Sequence, residues 1–159
     1  MVEIAWTESG LFFATWRDML KQTSGAQVSL VDTNNNLALV SNSETPDFIS
    51  VTDPSTWTTS NEVTGTNWAS GGINLSTGTY APTVTQSPSK TLMWDITGNV
   101  AVASTTVTGA FGAYIYANGL SPKAKIIGVW FGGTGYTTVA GTFAITWNVL
   151  GVATIQMAA

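Results

Sequence analysis

The sequence predicts a mainly β domain, an antiparallel β-sandwich or barrel-like fold of about eight strands with one N-terminal amphipathic helix. Three observations predict it. Alternating apolar and polar runs recur along the chain, as in Leu92-Met93-Trp94-Asp95-Ile96 and Phe143-Ala144-Ile145-Thr146-Trp147. Turn-forming clusters such as Thr97-Gly98-Asn99 and Ala117-Asn118-Gly119 interrupt these runs at intervals of roughly 8–12 residues. Only one segment, close to the N-terminus, has helical spacing.

That segment carries Phe12, Phe13, Trp16, Met19 and Leu20 on a stripe about 120° wide, with Arg17, Asp18 and Lys21 outside it. Thr7 or Ser9 is expected to cap its start, and Gly25 suits its end. The stripe either packs on the sheet of its own domain or docks on a partner. Residues 1–25 therefore read as an arm and helix, and 26–159 as the β domain, all within a single domain spanning 1–159.

The strands follow in order. Ala26–Asp32 and Leu37–Ser41 flank Thr33-Asn34-Asn35-Asn36, which predicts a first hairpin. Lys90–Ile96 turns Leu92, Trp94 and Ile96 inward, and Thr97-Gly98-Asn99 leads into a strand over Val100–Val107. Ala113–Ala117 places Tyr114 and Tyr116 on one face. Lys125–Phe131 is apolar on both faces, as a strand covered on both sides would be. Gly132-Gly133 breaks it, Thr142–Asn148 alternates again, and Val152–Met157 is a last short strand. Between Asn42 and Ser89 the alternation fails and Pro46, Pro54, Pro82 and Pro88 punctuate the chain. These are long excursions with short strands, too much chain for one featureless loop.

Composition narrows the function. Lys and Arg number 5, Asp and Glu 9, and His and Cys are absent, so the commonest groups for proton transfer, nucleophilic attack and soft metal ligation are missing. A net charge of −4 disfavours nucleic acid or an anionic membrane as partner. No catalytic residue, cofactor or metal ligand is expected, and an enzyme is the least favoured class. The N-terminus has Glu3 where a secretory signal needs base, and the apolar run Leu11–Ala14 is too short for export or for spanning. With only 9% charged residues against seven Trp, much of the surface is expected to face another protein.

Single motifs add little chemistry. Asp32-Thr33-Asn34-Asn35-Asn36 begins like a calcium loop, but Leu37 stands where Gly is needed and Ser43 where Glu is needed, so a turn is the better reading. Glu44, Asp47 and Asp53 share a Pro-bearing loop without the rigid spacing of a carboxylate pair. Gly71-Gly72 and Gly132-Gly133 lack the Lys-Ser/Thr of a phosphate loop. Trp94, Trp130 and Trp147 sit in strand alternation and read as core. Trp57 and Trp68 lie in irregular chain, where Trp either packs beneath loops or anchors a binding surface.

One longer pattern runs Asn61-Glu62-Val63-Thr64-Gly65-Thr66-Asn67-Trp68, then Gly71-Gly72-Ile73-Asn74-Leu75. It resembles a motif of small structural proteins of tailed bacteriophages: Asn-Glu-Val-x-Gly-x-x-aromatic, a short gap, Gly-Gly, then an apolar residue. The surrounding order is similar too. Val28-Ser29-Leu30-Val31 and Thr45-Pro46-Asp47 precede it, and Ala113–Tyr116, Phe131-Gly132-Gly133 and Gly141–Trp147 follow. The likeness spans nearly the whole chain. It departs at Trp68, where Tyr is common, and over Ser76–Ser89, which match nothing in the pattern.

The resemblance implies a non-enzymatic virion protein similar to capsid decoration or cement proteins. Such a protein is made in the host cytoplasm and then binds the major capsid protein on the assembled shell, as a homotrimer. Phe12, Trp16, Trp57, Trp68 and Tyr80 are the expected contact residues. The alternatives are a host-glycan-binding module on a tail or fibre, stacking sugars on Trp57, Trp68 and Tyr80, and a tail or connector subunit.

Overall fold

Six consecutive residues, Gly112-Ala113-Tyr114-Ile115-Tyr116-Ala117, set the architecture, because all six are buried. A strand buried on both faces must lie in the middle layer of the domain. In the computed structural model of the chain, which describes residues 6–21, 28–32, 34–50, 56–75, 79–87, 91–149 and 151–156, it does. The elements are β1 (Gly10–Leu11), α1 (Phe13–Lys21), β2 (Asn35–Val40), β3 (Glu62–Val63), β4 (Ile73–Asn74), β5 (Pro82–Ser87), β6 (Thr91–Ile96), β7 (Val100–Ala110), β8 (Gly112–Ala117), β9 (Ala124–Trp130), β10 (Tyr136–Ile145) and β11 (Ala153–Gln156). The fold is mainly β, with one short helix and antiparallel pairing throughout.

The middle sheet runs β1-β9-β8-β2-β3, with β4 also on β2. Period-two alternation divides its side chains between two cores. Leu37, Leu39, Ala113, Ile115 and Ala117 face one core, shared with Trp94, Ile96, Val100, Val107, Phe143 and Ile145 from the sheets β11-β6-β5 and β10-β7. Ala38, Val40, Tyr114 and Tyr116 face the other, which is capped by Trp6, Phe12 and Trp57. The result is a sandwich with an aromatic layer on its back.

A bulge in β9 joins these layers. Ile115 pairs with Ile127 but Tyr116 pairs with Lys125, so Ile126 is the extra residue and both isoleucines enter the first core. The bulge carbonyls anchor the N-terminal segment. Phe12 N–H donates to Ile126 O at 3.1 Å, the Thr15 hydroxyl to Lys125 O at 2.7 Å, and the Trp16 indole N–H to Ile126 O at 3.2 Å.

Several expectations need correction. No strand forms over residues 28–32, so the first hairpin is absent; residues 26 and 27 lie outside the described set. Asn35 and Asn36 are buried strand residues rather than turn residues. Their side-chain amides find backbone carbonyls, Asn35 at Ser29 and Leu30 and Asn36 at Gly71, which makes the burial tolerable. Only part of the expected stripe faces inward: Phe12 is buried and Trp16 and Met19 pack against the core, with Ala14 and Thr15 buried beside them, whereas Phe13 is 51% and Leu20 84% exposed. Ser9 does not cap it, since its hydroxyl accepts the Trp130 N–H at 2.9 Å; Gly25 lies outside the described residues. β7 and β10 are longer than predicted, and β5 arises within the excursion, opened by Pro82 on a sheet edge where its missing N–H is harmless.

Candidate interaction surfaces

The Asn-Glu-Val to Gly-Gly pattern is the densest cluster of special geometry in the chain. Val63 and Glu62 pair with Leu39 and Val40, and Ile73 and Asn74 with Leu37 and Asn36, so the pattern covers the free edge of β2 in two short pieces. Between them, Gly65 and Trp68 exchange both backbone hydrogen bonds, Asn67 sits at φ 59, and Trp68 drops into the core with 0% exposure. A Cβ at Gly65 would lie 1.8 Å from Thr106 O, and one at Gly72 (φ +70) 2.0 Å from Leu37 O. Only glycine fits this close an approach. The Glu62 carboxylate accepts the Gly71 N–H at 2.7 Å and the Ser70 hydroxyl at 2.8 Å, while Gly71 O accepts the Tyr116 hydroxyl at 2.7 Å. Each distinctive residue is thus occupied in closing the fold.

This decides the fate of two expected contact residues. Trp68 belongs to the first core and Trp57, 5% exposed, to the second, on opposite faces of the middle sheet. They form no common platform, and Tyr80 joins only the Trp68 side, donating its hydroxyl to Ala101 O at 3.0 Å. Phe12 is 1% exposed, edge-on to Tyr114 at 5.4 Å, so it too is core. Trp16 is half-buried and tied to Ile126. Their burial rules out Phe12, Trp57 and Trp68 as contact side chains in this conformation. Among the strand tryptophans, Trp94 is buried as expected, whereas Trp130 and Trp147 are only half-buried.

The aromatic back layer rests on glycines. A Cβ at Gly112 would lie 2.4 Å from the Trp6 ring, and one at Gly128 2.9 Å from Phe48. Trp6 stacks on Tyr114 at 5.1 Å and Trp57 on Tyr116 at 4.8 Å. Lys125 Nζ lies 4.5 Å from the Tyr114 ring centroid and pairs with Glu44 Oε1 at 2.8 Å. Burial pushes the Glu44 carboxyl up, but Lys125 and the Asn61 amide, at 2.8 Å from Oε2, outweigh it and hold it below its ordinary value. Burial, then the nearby Glu44 charge, drives the Tyr114 phenol far above its usual range. The ionisable pair is thus internal to the fold. Asp32 is likewise engaged locally, accepting the Asn34 N–H at 2.8 Å in a turn, and Asp47 accepts those of Ile49 and Ser50; Asp53 lies outside the described residues. Among the described residues no three His, Cys, Asp or Glu side chains come together, and no helix is long and apolar enough to cross a membrane.

Among the described residues, two surfaces stand out. The first is the outer face of α1, where Phe13 and Leu20, seven residues and thus about two helical turns apart, share one side. Phe13 N–H donates to Phe48 O at 2.9 Å, which brings Ile49, 84% exposed, beside the helix start. The second is a cleft of about 550 Å³ between the end of β9 and β10, bordered by Trp130, Phe131, Tyr136, Phe143 and Trp147. Neither is legible as such: helical spacing puts Phe13 and Leu20 on one stripe with Phe12 and Trp16 without dividing inner from outer side, and Trp130 and Trp147 read as core. The paired glycines at 132–133, both at positive φ, were the available signal that β9 ends at a surface feature. No protein-family model matches the chain, and neither a curated protein nor a solved structure matches it.

Proposed function

We propose that this chain is a non-enzymatic structural protein of a tailed-phage virion. In this reading it decorates the assembled shell, binding the major capsid protein and bridging neighbouring subunits, with self-association into a trimer multiplying modest single contacts. The mechanism is mass action. A protein that binds only the assembled state stabilises that state in proportion to its occupancy.

The observation that carries this reading is the outer face of α1. A solvent-facing row of Phe13 and Leu20 with Ile49 alongside is apolar surface that a partner groove can cover, with anchors at i and i+7. The inner side of the same segment is pinned to the β9 bulge, so the face is presented on a fixed platform. The low charge of the chain and its sequence resemblance to virion structural proteins support the same conclusion.

The test separates docking from folding. Phe13→Ala combined with Leu20→Ala is expected to leave stability within about 0.5 kcal/mol per site, because both side chains are exposed. The same variant is expected to lose co-sedimentation with assembled shells. Undiminished pelleting by the double variant contradicts the assignment of this face.

A further inference from the structure

We propose that the cleft between the end of β9 and β10 binds a neutral saccharide, a pyranose unit of a glycan without carboxylate, sulfate or phosphate. The site is distinct from the helix face and does not depend on the shell-docking reading.

The cleft combines two chemistries. Trp130, Tyr136 and Trp147 border it, and threonines 137, 138, 142 and 146 stand among them. Aromatic faces carry partial negative charge and attract the polarised C–H face of a sugar ring, while hydroxyls around the rim exchange hydrogen bonds with its equatorial oxygens. Its volume of about 550 Å³ falls within the range of small-ligand sites, roughly 300–1,000 Å³.

None of the described residues that border the cleft is charged. A nucleotide, a phosphosugar or an acidic sugar would bring a charge that nothing there offsets, at a large desolvation cost. A polyhydroxylated neutral ligand brings none.

The competing occupant is an extended peptide added to the outer edge of β10, which among the described residues pairs with β7 alone. The strand itself disfavours this. Its pairing with β7 shifts register three times between Tyr136 and Phe143, and Ala140 sits at φ 49, so the edge offers no long regular ladder. Sugar recognition requires no such ladder.

The experiment titrates the full chain with neutral oligomers of glucose, mannose, galactose and N-acetylglucosamine, following tryptophan fluorescence and saturation-transfer NMR. An oligogalacturonate and a Val/Thr-rich octapeptide serve as comparators. The expected result is saturable binding of at least one neutral oligomer. It should weaken about ten-fold or more in Trp147→Ala and to a smaller extent in the milder Trp147→Phe, which keeps a smaller ring, and the melting temperature of each variant reports its folding. Absence of saturable binding by every neutral oligomer overturns the proposal. So does equal binding by a folded Trp147 variant, or a preference for the acidic oligomer or the peptide.

Discussion

Replacing Trp68 by alanine is expected to lower the stability of the domain by about 3–5 kcal/mol, with a fall in Tm of roughly 10 °C or more. Trp68 is 0% exposed and lies edge-on to Phe143 at 5.4 Å, so its removal opens a cavity between the middle sheet and the β7–β10 pair. The surroundings cannot collapse into that space. Gly65 and Gly72 hold the flanking backbone against Thr106 O and Leu37 O, at distances that leave no room for movement inward. A large share of a typical domain's stability is at stake, so partial unfolding at physiological temperature is the expected outcome. Urea denaturation checks it. A loss below about 1 kcal/mol would mean that the Asn61–Leu75 segment is not the closing element described above.

Lys125→Met is expected to cost about 3 kcal/mol at neutral pH, with the loss shrinking as the solution is acidified. Lys125 and Glu44 are both largely shielded, with side chains 14% and 15% exposed, so removing the ammonium leaves a carboxylate in a poorly solvated site beside Tyr114. The sign follows from the Glu44 shift. Its carboxyl is held below the ordinary value in the folded chain, so the pair's contribution is complete above the unfolded-state pKa and is lost as pH falls through the folded one. In the variant, burial acts on Glu44 without the opposing ammonium, and protonation relieves the strain. Stability curves of the two proteins should therefore converge towards low pH. Parallel curves from neutral to acid pH would show that the pair contributes nothing specific.

The parts of the fold legible in the sequence are those where side-chain period and burial coincide. β8 and β9 were placed almost to the residue, because Ala113–Ala117 and Lys125–Phe131 are apolar on both faces and flanked by turn residues. β5 was not visible: Thr83, Thr85 and Gln86 surround a single large apolar residue, Val84, too little pattern to read as a strand. Asn34-Asn35-Asn36 reads as a turn because asparagine favours turns, yet Asn35 is held in β2 by the nearby Ser29 and Leu30 carbonyls and Asn36 by the Gly71 carbonyl far along the chain. Trp57 and Trp68 sit in segments with no period at all, so their burial depends on tertiary packing that local spacing does not encode. The helix lies where its spacing predicts, with Phe12, Trp16 and Met19 turned inward and Phe13 and Leu20 left outside. The carbonyls released by the β9 bulge, which bond Phe12 N–H, Thr15 and Trp16, choose its inner side, and a bulge leaves no mark in hydrophobic spacing.

The proposal that this chain acts by joining other subunits is tested most directly by adding increasing amounts of the purified full chain to assembled shells of the tailed phage to which the proposal assigns it. Bound copies and the temperature at which the shells come apart are then measured together. The account predicts saturation at a fixed ratio of bound chains to major capsid subunits, with the disassembly temperature rising in step with occupancy. Shells that bind none of it, or that bind it without any gain in thermal resistance, would contradict the account.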